Sequence, residues 1–287
     1  MRFTYADSVR ADFPELATGV LRIDGIAKTG NVSIWIAHFC DIGSCRLGND
    51  TEGALPEIQA WRKAFGRMGL KPTQYRCASE ALLRRFRKEH SLPNIHPFVD
   101  LCNAISIAFA VPVAAFDLTK ISGDLEVRPA NGDEVYETFA GEIEHPDAGE
   151  IIFADSSGRV HARRWTNRQS GYSAVRDGTV SVLVVSEAMH AAAAEDVSRL
   201  IAAIRTATIE IWPSTICRGG ERSALLKSRF CNRGSRTDCR GWGNYICLMR
   251  RERRTLLNWR PAPGPLIPPV WKGAGKLARV PELFFWC

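Results

Sequence analysis

The chain of 287 residues lacks most of the signatures that announce a chemistry. It has no Walker loop, no G-x-G-x-x-G and no H-E-x-x-H, which leaves a conventional nucleotide-dependent or metal-dependent enzyme without support. None of the six histidines, at positions 38, 90, 96, 145, 161 and 190, sits beside a Ser or Cys in a nucleophile motif such as G-x-S-x-G, so a catalytic triad is hard to assemble. No apolar run approaches the ~18 residues needed to span a bilayer, and the opening residues MRFTYADSVRADF are too mixed and charged for a secretory signal. The cysteines at 40, 45, 77 and 102 show no disulfide framework. A soluble, reduced, cytosolic protein without a membrane partner is the expectation, with no metal and no cofactor.

The formal charge of +7 suggests a nucleic-acid binder, but it is unevenly placed. Residues 1–211 hold 23 Lys and Arg against 27 Asp and Glu, while residues 212–287 hold 15 against 4. Five of the nine cysteines and five of the eight tryptophans also lie in that last segment. It has no sustained period of 2 or 3.6, it contains the Pro-rich run PAPGPLIPPVW, and it has neither a C-x-x-C pair nor a histidine. Two parts are therefore expected: a domain over residues 1–212, and an irregular basic tail over residues 213–287 that is foreign to the evolved domain.

Within the body, residues 19–26 (GVLRIDGI) and 31–39 (NVSIWIAHF) alternate well enough for two strands joined by a turn. Residues 55–68 place Ile58, Trp61, Phe65 and Met68 on one helical stripe. A second helix, 77–90, turns Ala78, Leu82 and Phe86 inward and carries Arg84, Arg85, Arg87 and Lys88 outside. That basic side reads either as a solvated face or as a contact for phosphates. Its start, Tyr75-Arg76-Cys77-Ala78-Ser79-Glu80, offers free backbone N–H groups to an anion or carbonyl. Cys77 sits where a helix start lowers a thiol pKa, although a structural role outweighs that.

The most informative stretch is His96 to Asp117, HPFVDLCNAISIAFAVPVAAFD. Phe98, Leu101, Cys102, Ile105 and Ala108 share one helical face between Pro97 and Pro112. Asp100 and Asn103 are its polar exceptions, and such groups are costly to bury unpaired, so the pair is either structural glue or the lip of a site. Further on, Ile151 to Ala154 and Arg159 to Trp165 read as a hairpin closed at Ser156-Ser157-Gly158, delivering Arg163, Arg164 and Trp165 into a loop with Asn167, Arg168, Gln169 and Ser170. Residues 179–188 read as a central strand and 189–208 as a helix with Val197, Leu200, Ile201 and Ile204 inward.

The run VDLCNAISIAFAVPVAAFD resembles the V-D-x-x-N…P-x-x-A-F-D segment of the editing (B-three/B-four) domain of the bacterial phenylalanyl-tRNA synthetase beta chain. The order of RCASEALLRR, HPFVDLCNAIS, GDLEVRPANGDE, GEIIFADSSGRVHARRW and NRQS, over roughly Gly53 to Arg205, is similar to free-standing proteins made of that domain alone. The resemblance implies an α+β fold of mixed and antiparallel sheets packed with helices, and hydrolysis of a mischarged aminoacyl ester at the 3′ end of tRNA. It implies that Asn103 lines the editing pocket and that Pro112, Phe116 and Asp117 form the structural end of the motif. Ala114 departs from the synthetase pattern, standing where that has a histidine, and Arg163 to Trp165 replace a glycine-rich segment.

On this reading Asn103 orients substrate or water, Ser79 and Arg164 donate near the ester, and Glu80 or Asp100 holds the α-ammonium. Arg76, Trp165 and Gln169 complete the substrate contacts. Arg84, Arg85, Arg87, Lys88, Arg163 and Arg168 are the candidates to grip tRNA. The rival expectation is a non-catalytic module that binds tRNA or an amino acid in the same place.

Overall fold

The computed structural model describes residues 1–219. Strand β10 (Ser181–Ala188) is the axis of the fold, pairing antiparallel with β2 (Ala17–Asp24) on one side and with β3 (Val113–Asp117) on the other. Its β-branched run is buried along nearly its whole length, as expected for a central strand covered on both faces. A short edge strand, β11 (Ile216–Arg218), completes this sheet in the order β11-β2-β10-β3. The rest of the expected tail, from residue 220 onward, lies outside the described residues.

A second sheet runs β1 (Phe3–Tyr5), β4 (Leu125–Pro129), β7 (Ile151–Asp155), β8 (Arg159–Arg163), β5 (Val135–Glu137) and β6 (Ile143–Glu144). The two-residue strand β9 (Arg168–Gln169) pairs with β8 off this path. The hairpin expected at residues 151–165 is β7 and β8, although β8 stops at Arg163 and the next two residues turn away.

Among the described residues six α-helices accompany the sheets: α1 (Asp7–Asp12), α2 (Ser33–Leu47), α3 (Pro56–Arg67), α4 (Ala78–Glu89), α5 (Pro97–Phe109) and α6 (Ala193–Ile211). Alternation along β10 sorts the core into two clusters. Val182 and Val184 join residues of α2, α5 and α6, whereas Leu183 and Val185 join α3, α4 and the second sheet through Phe153 and Ala162. The fold is thus α+β, with helices packed on mixed sheets.

One expected strand is corrected. Residues 31–39 belong to α2, and β2 finds its partners in β10 and β11 rather than in a hairpin with that segment. Helical spacing of Phe39, Gly43 and Leu47 buries α2, and a Cβ at Gly43 would stand 3.2 Å from Ile107 Cγ1 of α5. Close packing between helices thereby overrides a local strand-like pattern. A smaller correction concerns α4, where Leu83 is buried and Leu82 only half-buried.

Helix α5 is buried all round, every residue from Phe98 to Phe109 included, with Asp100, Asn103 and Ser106 the polar members of an otherwise apolar helix. Pro97 starts it, and the His96 ring Nδ1 accepts the Phe98 N–H at 3.2 Å. Ala110, left-handed at φ 56°, ends it just before Pro112.

Candidate functional site

The start of α4 and the loop after β8 are fastened to each other. Ala78 N donates to Thr166 O at 2.8 Å, and Asn167 Nδ2 donates to Arg76 O at 2.8 Å. Arg164 lies with its guanidinium carbon 4.9 Å from the centre of the Tyr75 ring. Residues 75–80 and 164–169, far apart in sequence, are therefore joined, with Tyr75, Arg76, Arg164 and Arg168 half-buried at their rim and Ser79 enclosed beneath.

That loop is built on an unusual turn. Arg164 and Trp165 both have left-handed backbones, at φ 45° and 58°, where a glycine is the ordinary occupant. Two carboxylates hold it. Glu150 accepts from Arg164 N at 3.0 Å and from Arg163 Nε at 2.9 Å, and Glu187 of β10 accepts from Trp165 Nε1 at 2.9 Å. Trp165 N also donates to Ile151 O at 2.7 Å. Such over-determination is what keeps strained backbone in place, and it leaves the Arg164 head aimed at Tyr75.

The structure gives several expected site residues internal duties. Trp165 is wholly buried, edge-on to Phe13 at 4.8 Å and Trp61 at 5.3 Å, so it supports the turn from beneath. Glu80 is also wholly buried, and both its oxygens accept from Arg62, the shortest bond being 2.6 Å; Arg76 Nε stands 3.5 Å away. Its charge is met by two guanidiniums before any ammonium arrives. Gln169 donates through Nε2 to Ala115 O at 2.8 Å, tying β9 to β3. Asp100 accepts Ile95 N at 2.9 Å and braces the entry to α5; burial pushes its carboxyl up from the usual range.

Ser79 is buried 3.4 Å from the Cys77 sulfur. Burial pushes that thiol up to about 12, so desolvation outweighs the helix start that was expected to lower it. Asn103 is different. It is 2% exposed in the middle of the buried helix α5. An amide offers both an acceptor and two donors, so it can orient a bound molecule or water that reaches it.

Of the expected phosphate contacts, Arg84 and Lys88 are exposed on α4. Arg87 and Arg84 lean on Glu52 at 2.9 and 3.8 Å, and Arg85 pairs with Glu89 at 2.8 Å. Arg163 is not on that surface: it is 4% exposed and spent on Glu144 and Glu150. Arg168 shares Glu144 at 3.3 Å. Sequence reasoning missed Tyr75 as the partner of Arg164, and Arg62, Glu150 and Glu187 as the charges that organise the site. The one local signal for Glu187 was a carboxylate ending the apolar run VSVLVVSEA.

Fold and site together define an α+β domain whose polar groups converge where a helix start meets the loop after a hairpin. The model of the B3/4 domain family matches residues 60–209, and the chain belongs to that family. It is 29% identical over 131 residues to the phenylalanine–tRNA ligase beta subunit of Shewanella oneidensis, covering 45% of this chain and 16% of that one. It is 34% identical over 90 residues to the corresponding subunit of Nocardia farcinica, covering 31% and 11%. The matched region is thus a small part of each relative's length. A solved N-terminal fragment of the phenylalanyl-tRNA synthetase beta-subunit from Pyrococcus horikoshii aligns over 76% of this chain and 50% of its own, at 13% identity and a TM-score of 0.41.

Proposed function

We propose that this protein acts in trans as an aminoacyl-tRNA deacylase, hydrolysing the ester of a mischarged tRNA at the acceptor end. The observation that carries the reading is Asn103: an amide 2% exposed, set in the buried helix α5 of a B3/4 domain. The tRNA side of the reading comes from the relatives, which are named as subunits of a tRNA ligase.

An aminoacyl ester is already activated, so the work left to the protein is alignment and charge stabilisation. Asn103 orients the substrate or the attacking water, which supplies acceleration through proximity. Arg164, set by its turn, and the Ser79 hydroxyl donate toward the developing oxyanion, a role worth about 3 kcal/mol per good donor. Cys77 stays a neutral thiol and takes no part as a nucleophile. The exposed cations of α4 meet tRNA phosphates, and the cytosol is the compartment where mischarged tRNA is met.

The test is release of amino acid from a panel of mischarged tRNAs by purified protein. Asn103→Ala is expected to lower kcat/KM by at least about a hundredfold, the loss typical of a transition-state contact, with an unchanged thermal melt. Tight tRNA binding with no release by the wild-type protein decides for a binding module instead.

A further inference from the structure

Away from the candidate site, three side chains from three elements meet. Glu57 lies in the first turn of α3, Asp196 in the first turn of α6, and His190 in the link between β10 and α6. One donor atom from each stands within 4.8 Å of the other two. His190 Nε2 is 2.8 Å from Asp196 Oδ2 and 4.0 Å from Glu57 Oε1. The Glu57 and His190 side chains are each 5% exposed, whereas Asp196, at 20%, gives the cluster an open side.

A second observation concerns what these groups leave unmade. Glu57 Oε2 and His190 Nδ1 are both buried without a hydrogen-bond partner. A buried polar atom left unsatisfied costs about 1–3 kcal/mol, and a purely structural network would be expected to close on its own members. Arg46 donates at 2.6 Å to Oε1, the same Glu57 oxygen that faces His190 at 4.0 Å, and is itself anchored on Ala108 O at 2.9 Å. It sets the direction of the carboxylate in the way that outer groups orient metal ligands, and the second oxygen, Oε2, keeps no partner of its own.

We propose that Glu57, His190 and Asp196 form a binding site for a divalent transition-metal ion of the zinc type. One imidazole and two carboxylates are a donor set that such ions accept, with a water completing the shell. Bonds of about 2.0–2.2 Å set ligands roughly 3.4 Å apart around a tetrahedral ion. The His190–Asp196 contact has to open, and Glu57 to close in, by about half an ångström each relative to that spacing. The ion then ties α3 to the entry of α6, so its binding reads out as stability. This inference is independent of the tRNA reading.

The test uses the full chain and Co²⁺, since the nine cysteines offer rival thiolate sites that cobalt reports by an intense near-ultraviolet charge-transfer band. Expected is one equivalent bound with visible bands of N/O ligation, no such thiolate band, and a raised Tm. His190→Ala and Asp196→Asn are each expected to weaken that binding at least tenfold while melting like the wild type when metal-free. Asp196→Asn, on the open side, decides alone should the alanine variant fail to fold. Binding only through thiolates, no binding, or the same bands kept in the variants overturns the proposal. Zn²⁺ competing the cobalt away, with Mg²⁺ and Ca²⁺ failing to, is expected; the reverse order overturns the ion type.

Discussion

Glu187 shows how one side chain can serve structure at a cost that varies with pH. Its carboxylate accepts from Tyr5 Oη and Trp165 Nε1, yet burial wins and pushes it up to about 7. The folded state therefore keeps a proton that the unfolded chain releases near the ordinary glutamate value of 4.5. Where the native state binds more protons than the unfolded one, stability falls as pH rises, here between those two values. Thermal melts across about pH 4.5–8 are expected to show a smaller decline in Glu187→Gln than in the wild type, and identical slopes refute the assignment. Arg164 poses the opposite balance. Relieving a left-handed non-glycine residue gains about 1–2 kcal/mol, against about 0.5–1 for the extra freedom of an unfolded glycine and about 0.5–1 for the lost contact on Tyr75. Arg164→Gly should thus leave stability within about 0.5 kcal/mol of wild type while kcat/KM for deacylation falls at least tenfold, checked by urea melts beside the tRNA assay.

At the scale of elements, some were legible because their determinants are local. The β7–β8 hairpin declares itself by alternation around Ser156-Ser157-Gly158, and β10 by a β-branched run. Helix α5 carries its own start and stop in Pro97 and Pro112. Helix α2 was not legible, because Ile34 and Ile36 alternate like a strand while Phe39, Gly43 and Leu47 acquire meaning only against α5. Asn103 was singled out by its motif and is observed buried on α5, but the turn at Arg164 was not legible, because its clamps come from Glu150 and Glu187, 14 and 22 residues away in sequence. The Glu57, His190 and Asp196 cluster is scattered likewise over α3, a link and α6, with no spacing a motif could capture. The α2–α5 contact makes a direct check. Gly43→Leu drives a branched side chain into Ile107 and should cost about 1–3 kcal/mol, visible as a lower midpoint of denaturation at unchanged slope.

For the molecule as a whole, the proposed function requires that an acidic body meet a polyanion. Residues 1–211 carry four more acids than bases, so net attraction cannot come from the body as a uniform field. Within the body it comes from cations left exposed after internal pairing: Arg84 and Lys88 are exposed on α4, whereas Arg163 is enclosed by Glu144 and Glu150. Each phosphate contact releases counterions and adds about 0.7–0.9 to the slope of log K against log salt concentration. Replacing Arg84 and Lys88 together by glutamine should therefore flatten that slope for tRNA binding by roughly 1.5 and weaken affinity most at low salt. Arg163→Gln should leave the slope as it is, because its charge never faces the phosphates. It should instead lower the melting temperature, since the buried Glu150 carboxylate loses its guanidinium partner, a change costing up to about 3–5 kcal/mol when a buried pair is broken. A salt slope that responds to Arg163 and ignores Arg84 and Lys88 would place the nucleic acid on the β8 side of the molecule and move the α4 face out of the binding surface.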